Sequence, residues 1–165
     1  MRIGAGTTAS GQGRPCHILD WHCSSLKVVT RSTFASETQA AIAATDSALM
    51  LALTMHEIRA GPVTPRQGMT LLQDGGLNFK INLGVDAMNL VSALRNARLR
   101  TPSERTMLCQ LLWLKELLQK QLLSVTWYDT RDMTADGHTK GSIPRTAINE
   151  VADGQFITRP RGPCH

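Results

Sequence analysis

The stretch "STFASETQAAIAATDSALMLALTMHEIRAG", residues 32 to 61, constrains the fold more than any other part of the chain. Ile42, Leu49, Leu53 and His56 follow one another at spacings of seven, four and three, with alanine filling between. One apolar face therefore runs for about six helical turns. Ser36, with Gln39 three residues on, has the pattern of a capping box, and Gly61 with Pro62 ends the run. A helix of that length has to lay its face on other elements.

Those elements can be read on either side. "HILDWH" at 17 to 22 and "LKVVTRS" at 26 to 32, with small polar residues between them, read as a β-hairpin. After a connection over 61 to 77 that contains Gly and Pro, "FKINLGVD" at 79 to 86 alternates Phe79, Ile81, Leu83 and Val85, and reads as a strand ending on Asp86. "AMNLVSALRNA" follows as a short helix. "SERTMLCQLLWLKELLQKQ" at 103 to 121 is a second long amphipathic helix on Met107, Leu108, Leu111, Leu114 and Leu118. "LLSVTWYD" at 122 to 129 then alternates Leu123, Val125 and Trp127 as another strand. The order β, β, α, β, α, α, β predicts an α/β fold, a mixed sheet flanked by helices. Residues 1 to 16 read as a flexible lead-in, 17 to 150 as the domain and 151 to 165 as a disordered tail.

Composition narrows the function classes only modestly. At 165 residues and 42% hydrophobic content the chain is sized for one domain with its own core. Lys plus Arg number 18 against 13 Asp plus Glu, a net +5 that suits a polyanion partner without requiring one. Arg95, Arg98 and Arg100 are candidates for such contacts, and a solvated face accounts for them equally. No apolar run reaches the roughly 18 residues of a membrane span, and "MRIGAGTTASGQG" lacks the hydrophobic centre of a signal peptide. The expectation is an intracellular protein, cytoplasmic or nuclear, with no membrane partner. Cys16, Cys23, Cys109 and Cys164 are irregularly spaced, which favours reduced thiols. "CHILDWHC" has the composition of a zinc site. On a strand, however, Cys16 and His22 face one way while His17 and Cys23 face the other, so the four do not converge.

Three acids fall at element boundaries: Glu37 in the first turn of the long helix, Asp86 at the end of a strand, and Asp136 just past the last strand. Acids gathered at the edges of a sheet form the all-oxygen ligand sets that Mg²⁺ takes. Each also has a plain structural reading: Glu37 as a helix-dipole partner, Asp86 as the N-cap of the next helix, and Asp136 beside Gly137 as a turn former.

Spacing and order together decide between these readings through a resemblance. "VVTRSTFASETQAAIAA" resembles the ribonuclease H domain of Ty1/copia-type retrotransposon polyproteins, with Trp21, Ser32, Thr33 and Glu37 at matching positions. "INLGVDAMNLVSALRN" is similar to the family's strand ending in Asp-Asn, with Asp86 in register and Ala87 in place of the Asn. "SVTWYDTRDMTADGHTKG" resembles its closing strand, loop and Ala-Asp-x-x-Thr-Lys, with Asp136, Thr139 and Lys140 in register. Asp129, Asp132 and His138 then read as loop residues. The match covers about 17 to 145 and implies an RNase H-like mixed sheet flanked by helices that lacks its first strand.

The resemblance implies metal-dependent cleavage of the RNA strand of an RNA·DNA hybrid, with two Mg²⁺ ions held by Glu37, Asp86 and Asp136, and an upstream reverse transcriptase domain as partner in a polyprotein. The departures bear on activity. The family's first metal-binding aspartate precedes the Trp21 strand, and residues 1 to 16 hold neither Asp nor Glu. Asp20 lies within the second strand of the match and does not replace it, and "RTPSERTML" keeps only the Arg-Thr of the family's Lys-His-Ile-Asp-like helix start. The expectation is a weakly active or inactive domain, a relic or a fragment whose start lies upstream. A catalytically inactive RNase H-like module that binds nucleic acid or protein is the alternative. A small α/β domain without nucleic-acid function, in keeping with 4% aromatic content, is the third reading.

Overall fold

The computed structural model describes residues 3–4, 16–17, 19–20, 30, 32–96, 105–129, 149–150 and 153. Its elements in chain order are β1 (Ile3–Gly4), β2 (Cys16–His17), α1 (Thr33–Ala60), α2 (Pro65–Asp74), β3 (Ile81–Val85), α3 (Met88–Arg95), α4 (Arg105–Gln119) and β4 (Leu123–Trp127). Helices and strands are mixed along the chain, an α/β arrangement. The chain forms two compact units, one of residues 26–126 and one that joins 1–25 to 127–165, and the domain bounds 17 to 150 read from the sequence cross this division.

In the unit built from the two chain ends, β1 and β2 pair antiparallel, Ile3 opposite His17 and Gly4 opposite Cys16. Ile3, Gly4 and Cys16 of this ladder fall within residues 1 to 16. Most of the hairpin expected over 17 to 32 lies outside the described residues.

The larger unit is organised by α1, a helix of 28 residues. Its N-cap is Ser32, whose hydroxyl accepts from the Ala35 amide at 3.1 Å, so the capping box expected at Ser36 and Gln39 does not form. Ser36 lies inside the first turns, and its backbone amide already donates to the Ser32 carbonyl. Gly61 ends the helix as expected, with φ 95° and its amide on the Glu57 carbonyl.

The buried face of α1 differs from the one expected. Ala35, Thr38, Ala41, Thr45, Ala48, Ala52 and His56 are buried, whereas Ile42, Leu49 and Leu53 are only half-buried. Small side chains let the helix backbone come close to its neighbours β3, α3 and α4. Those elements contribute the bulk of the core: Leu83, Val85, Leu90, Val91, Leu94, Met107, Leu111, Leu114 and Leu117. Thr38 and Thr45 can be buried because each hydroxyl donates within the helix, to the Phe34 carbonyl at 2.8 Å and the Ala41 carbonyl at 2.7 Å.

α2 occupies the span expected to be a connection. Thr64 and Gln67 form a reciprocal capping box, Pro65 opens the first turn, and Gly75 closes the helix in the left-handed region at φ 75°. A Cβ on Gly75 would lie 2.8 Å from the Lys120 carbonyl oxygen, so this position needs glycine on two counts.

β3 and β4 form a two-stranded parallel sheet, joined by a crossover through α3 and α4. The Ile81 amide donates to the Leu122 carbonyl at 3.1 Å where the pair begins. The turn into β4 closes α4 by a Schellman arrangement: Gln121 donates to Leu118 and Leu122 donates to Leu117, each at 3.1 Å. Gln121 therefore adopts φ 57°, a conformation that favours glycine.

Two stability outcomes follow in chemical denaturation. Ala48→Leu overfills the close face of α1 and lowers stability by about 1–3 kcal/mol. Gln121→Gly, at an exposed side chain, relieves the left-handed strain and raises it by about 0.5–1 kcal/mol.

Candidate functional site

Glu37 sits in the second turn of α1, because the helix begins at Thr33 rather than beyond Ser36. No acid occupies the first turn, so the dipole account of Glu37 weakens with distance from the helix end. The residue is half-buried, one position before buried Thr38 and four before buried Ala41, which places it on the flank of the face that packs inward.

Asp86 directly follows the last residue of β3 and is half-buried. The N-cap of α3 is Ala87, with no side-chain cap bond. The N-cap reading of Asp86 is therefore corrected: the helix starts one residue later than that role needs. α1 and β3 pack against each other, so the elements carrying Glu37 and Asp86 are neighbours.

Asp136 lies outside the described residues, as do Asp132, His138, Thr139, Lys140, Arg98 and Arg100. Among the described residues no group of three His, Cys, Asp or Glu side chains is placed to hold a metal ion. Asp129 is described and half-buried. Arg95 is exposed, and its guanidinium donates to the Val125 carbonyl at 3.3 Å, which ties the last turn of α3 to β4. Cys109 is an exposed free thiol on α4. Among the described residues, no helix is long and apolar enough to cross a membrane.

The sheet also carries a polar cluster that sequence reasoning missed. Asn82 Oδ1 accepts from Thr126 Oγ1 at 2.9 Å and from Ser124 Oγ at 3.2 Å, and Ser124 Oγ lies 3.2 Å from the Ile81 carbonyl as well. Alternation alone marks Asn82 as opposite in face to Leu83, but only the pairing of β3 with β4 shows which hydroxyls meet it.

A cleft of about 500 Å³ lined by His56, Val63, Thr64, Arg66, Gln67, Thr70 and Leu71 lies at the other end of α1. His56 and Glu37 are 19 positions apart on the helix, roughly 28 Å. The cleft is thus separate from Glu37. His56 is buried, and its Nδ1 has no hydrogen-bond partner among the described residues.

Comparison with family models, with curated proteins and with solved structures found no match.

The uncapped start of α3 makes a direct prediction. Ala87→Asn supplies a side-chain acceptor to the first turn and raises stability by about 0.5–1 kcal/mol, read as a shift in denaturation midpoint at unchanged slope.

Proposed function

We propose that the chain is an RNase H-like nucleic-acid module of the Ty1/copia type, with Glu37, Asp86 and Asp136 as the remnant of a Mg²⁺ site that acts on RNA·DNA hybrids. The observation that carries this reading is Asp86. It stands immediately beyond the C-terminal end of a parallel strand, it is not the N-cap of the helix that follows, and the strand packs on the helix bearing Glu37. Parallel sheets gather their chemistry at that end of their strands.

The donor set suits a hard cation, since all three side chains offer carboxylate oxygen. When bound, Mg²⁺ supplies charge that lowers the barrier to attack by water on the phosphodiester. The protein side chains position the cation and leave the hybrid to be recognised through its backbone and 2′-hydroxyls. Residues 1 to 16 hold no counterpart of the family's first aspartate. The second reading is a module that binds nucleic acid or a protein such as a reverse transcriptase without cutting. The net charge of +5 is compatible with either.

The test is a labelled RNA·DNA hybrid, followed for binding as salt is raised and for cleavage in Mg²⁺ and Mn²⁺. Expected are binding that weakens steeply with salt and, at most, slow cleavage that disappears in Asp86→Asn. Binding with no cleavage in either metal selects the non-catalytic module. Failure to bind hybrid or duplex at low salt overturns the nucleic-acid reading, and cleavage undiminished in Asp86→Asn removes that residue from the metal site.

A further inference from the structure

We infer that Asn82 contacts the bound nucleic-acid strand, its side-chain amide acting as a preset donor to a sugar-phosphate oxygen on the way to Asp86. The inference rests on the nucleic-acid reading above and adds to it a positioning residue and a path.

Leu83 and Val85 point into the core, so Asn82 and Gly84 lie on the opposite face of β3. Lys80 immediately precedes β3 and Asp86 immediately follows it, so a cation and a carboxylate flank the amide along the chain. Lys80 and Asn82 are exposed, and among the described residues Lys80 enters no ion pair. From Asn82 to Val85, the end of β3, the strand advances about 10 Å, and Asp86 is the next residue.

The amide is oriented by its own neighbours. Its oxygen accepts from Thr126 Oγ1 of β4 at 2.9 Å, and Ser124 Oγ, whose single proton is shared with the Ile81 carbonyl, lies 3.2 Å from it. The Nδ2 group, with two N–H bonds, is left facing solvent and has no partner among the described residues. The Thr126 bond, with Ser124 beside it, holds the amide oxygen toward β4, so its donor is set before a ligand arrives. A cation and a fixed donor close along the chain to a carboxylate suit a polyanionic strand that lies on the first two and presents its backbone to the third.

Asn82→Asp separates this role from a structural one. The carboxylate still accepts from Thr126, so the fold is kept, but the donor is replaced by a charge that repels phosphate. Anisotropy with labelled hybrid and labelled DNA duplex reads binding of the full chain, and thermal melting reads the fold. Expected for Asn82→Asp is an unchanged melting temperature and a hybrid dissociation constant raised roughly tenfold. Asn82→Ala is expected to raise it roughly threefold. Gln73→Asp, at an exposed position on α2, controls for added charge and is expected to leave binding unchanged. Weakening on both nucleic acids identifies a phosphate oxygen as the acceptor, and weakening on hybrid alone identifies a 2′-hydroxyl. Wild-type binding retained in Asn82→Asp overturns the contact while leaving the nucleic-acid reading in place. A large fall in melting temperature for Asn82→Asp overturns the amide orientation on which the contact depends. A wild-type chain that binds neither probe overturns both readings together.

Discussion

The larger unit depends on how closely α1 approaches its neighbours. Alanine and threonine occupy its inward face, and leucine, valine and methionine from β3, α3 and α4 fill the space opposite. Had the large residues been on both sides, the helix would stand farther from the sheet, and voids would open between unlike shapes. Burial of two threonines is compatible with this only because their hydroxyls turn back to carbonyls of the same helix. The interface therefore relies on fit and apolar area rather than on directional bonds across it.

That close seat also governs the acids. Glu37 is on the flank of the packed face and Asp86 is at the mouth of the strand beneath it, so each is held by an element whose position the core determines. Neither depends on a long loop for its placement. The cleft around His56 lies at the far end of the same helix, where α2 rather than the sheet is the neighbour in sequence.

Much of this was legible in the residues, and the failures have definite causes. Alternation in "FKINLGVD" and "LLSVTWYD" locates both strands: β3 buries Leu83 and Val85, spaced by two, and β4 buries Leu123 with Val125 and Trp127 half-buried after it. The length of α1 is readable from its Gly61 stop, but its face is not. Alanine reads as filler beside leucine, although packing prefers it where backbones approach. Ser36 and Ser32 both offer a capping hydroxyl, and choosing the later one moves Glu37 into the wrong turn. α2 escapes notice because Gly61, Pro62 and Pro65 look like a connection, while Thr64 with Gln67 carries the capping signal. The boundary position of Asp86 was readable directly. The hydroxyls that meet Asn82 are more than 40 residues away in the chain, so no local pattern announces them.

The inward face of α1 has a further consequence for how such a chain can diverge. Six positions from Ala35 to Ala52 are limited in volume, while the chemistry allowed at each is broad, since a buried hydroxyl there finds its own carbonyl. Serine, alanine and threonine are therefore close to interchangeable at these sites, whereas a larger group pushes the helix off its seat. Drift along such a helix erases residue identity and keeps a profile of sizes. Descent would then be written in the steric outline of the segment, with Glu37 among the few letters that outline does not dictate.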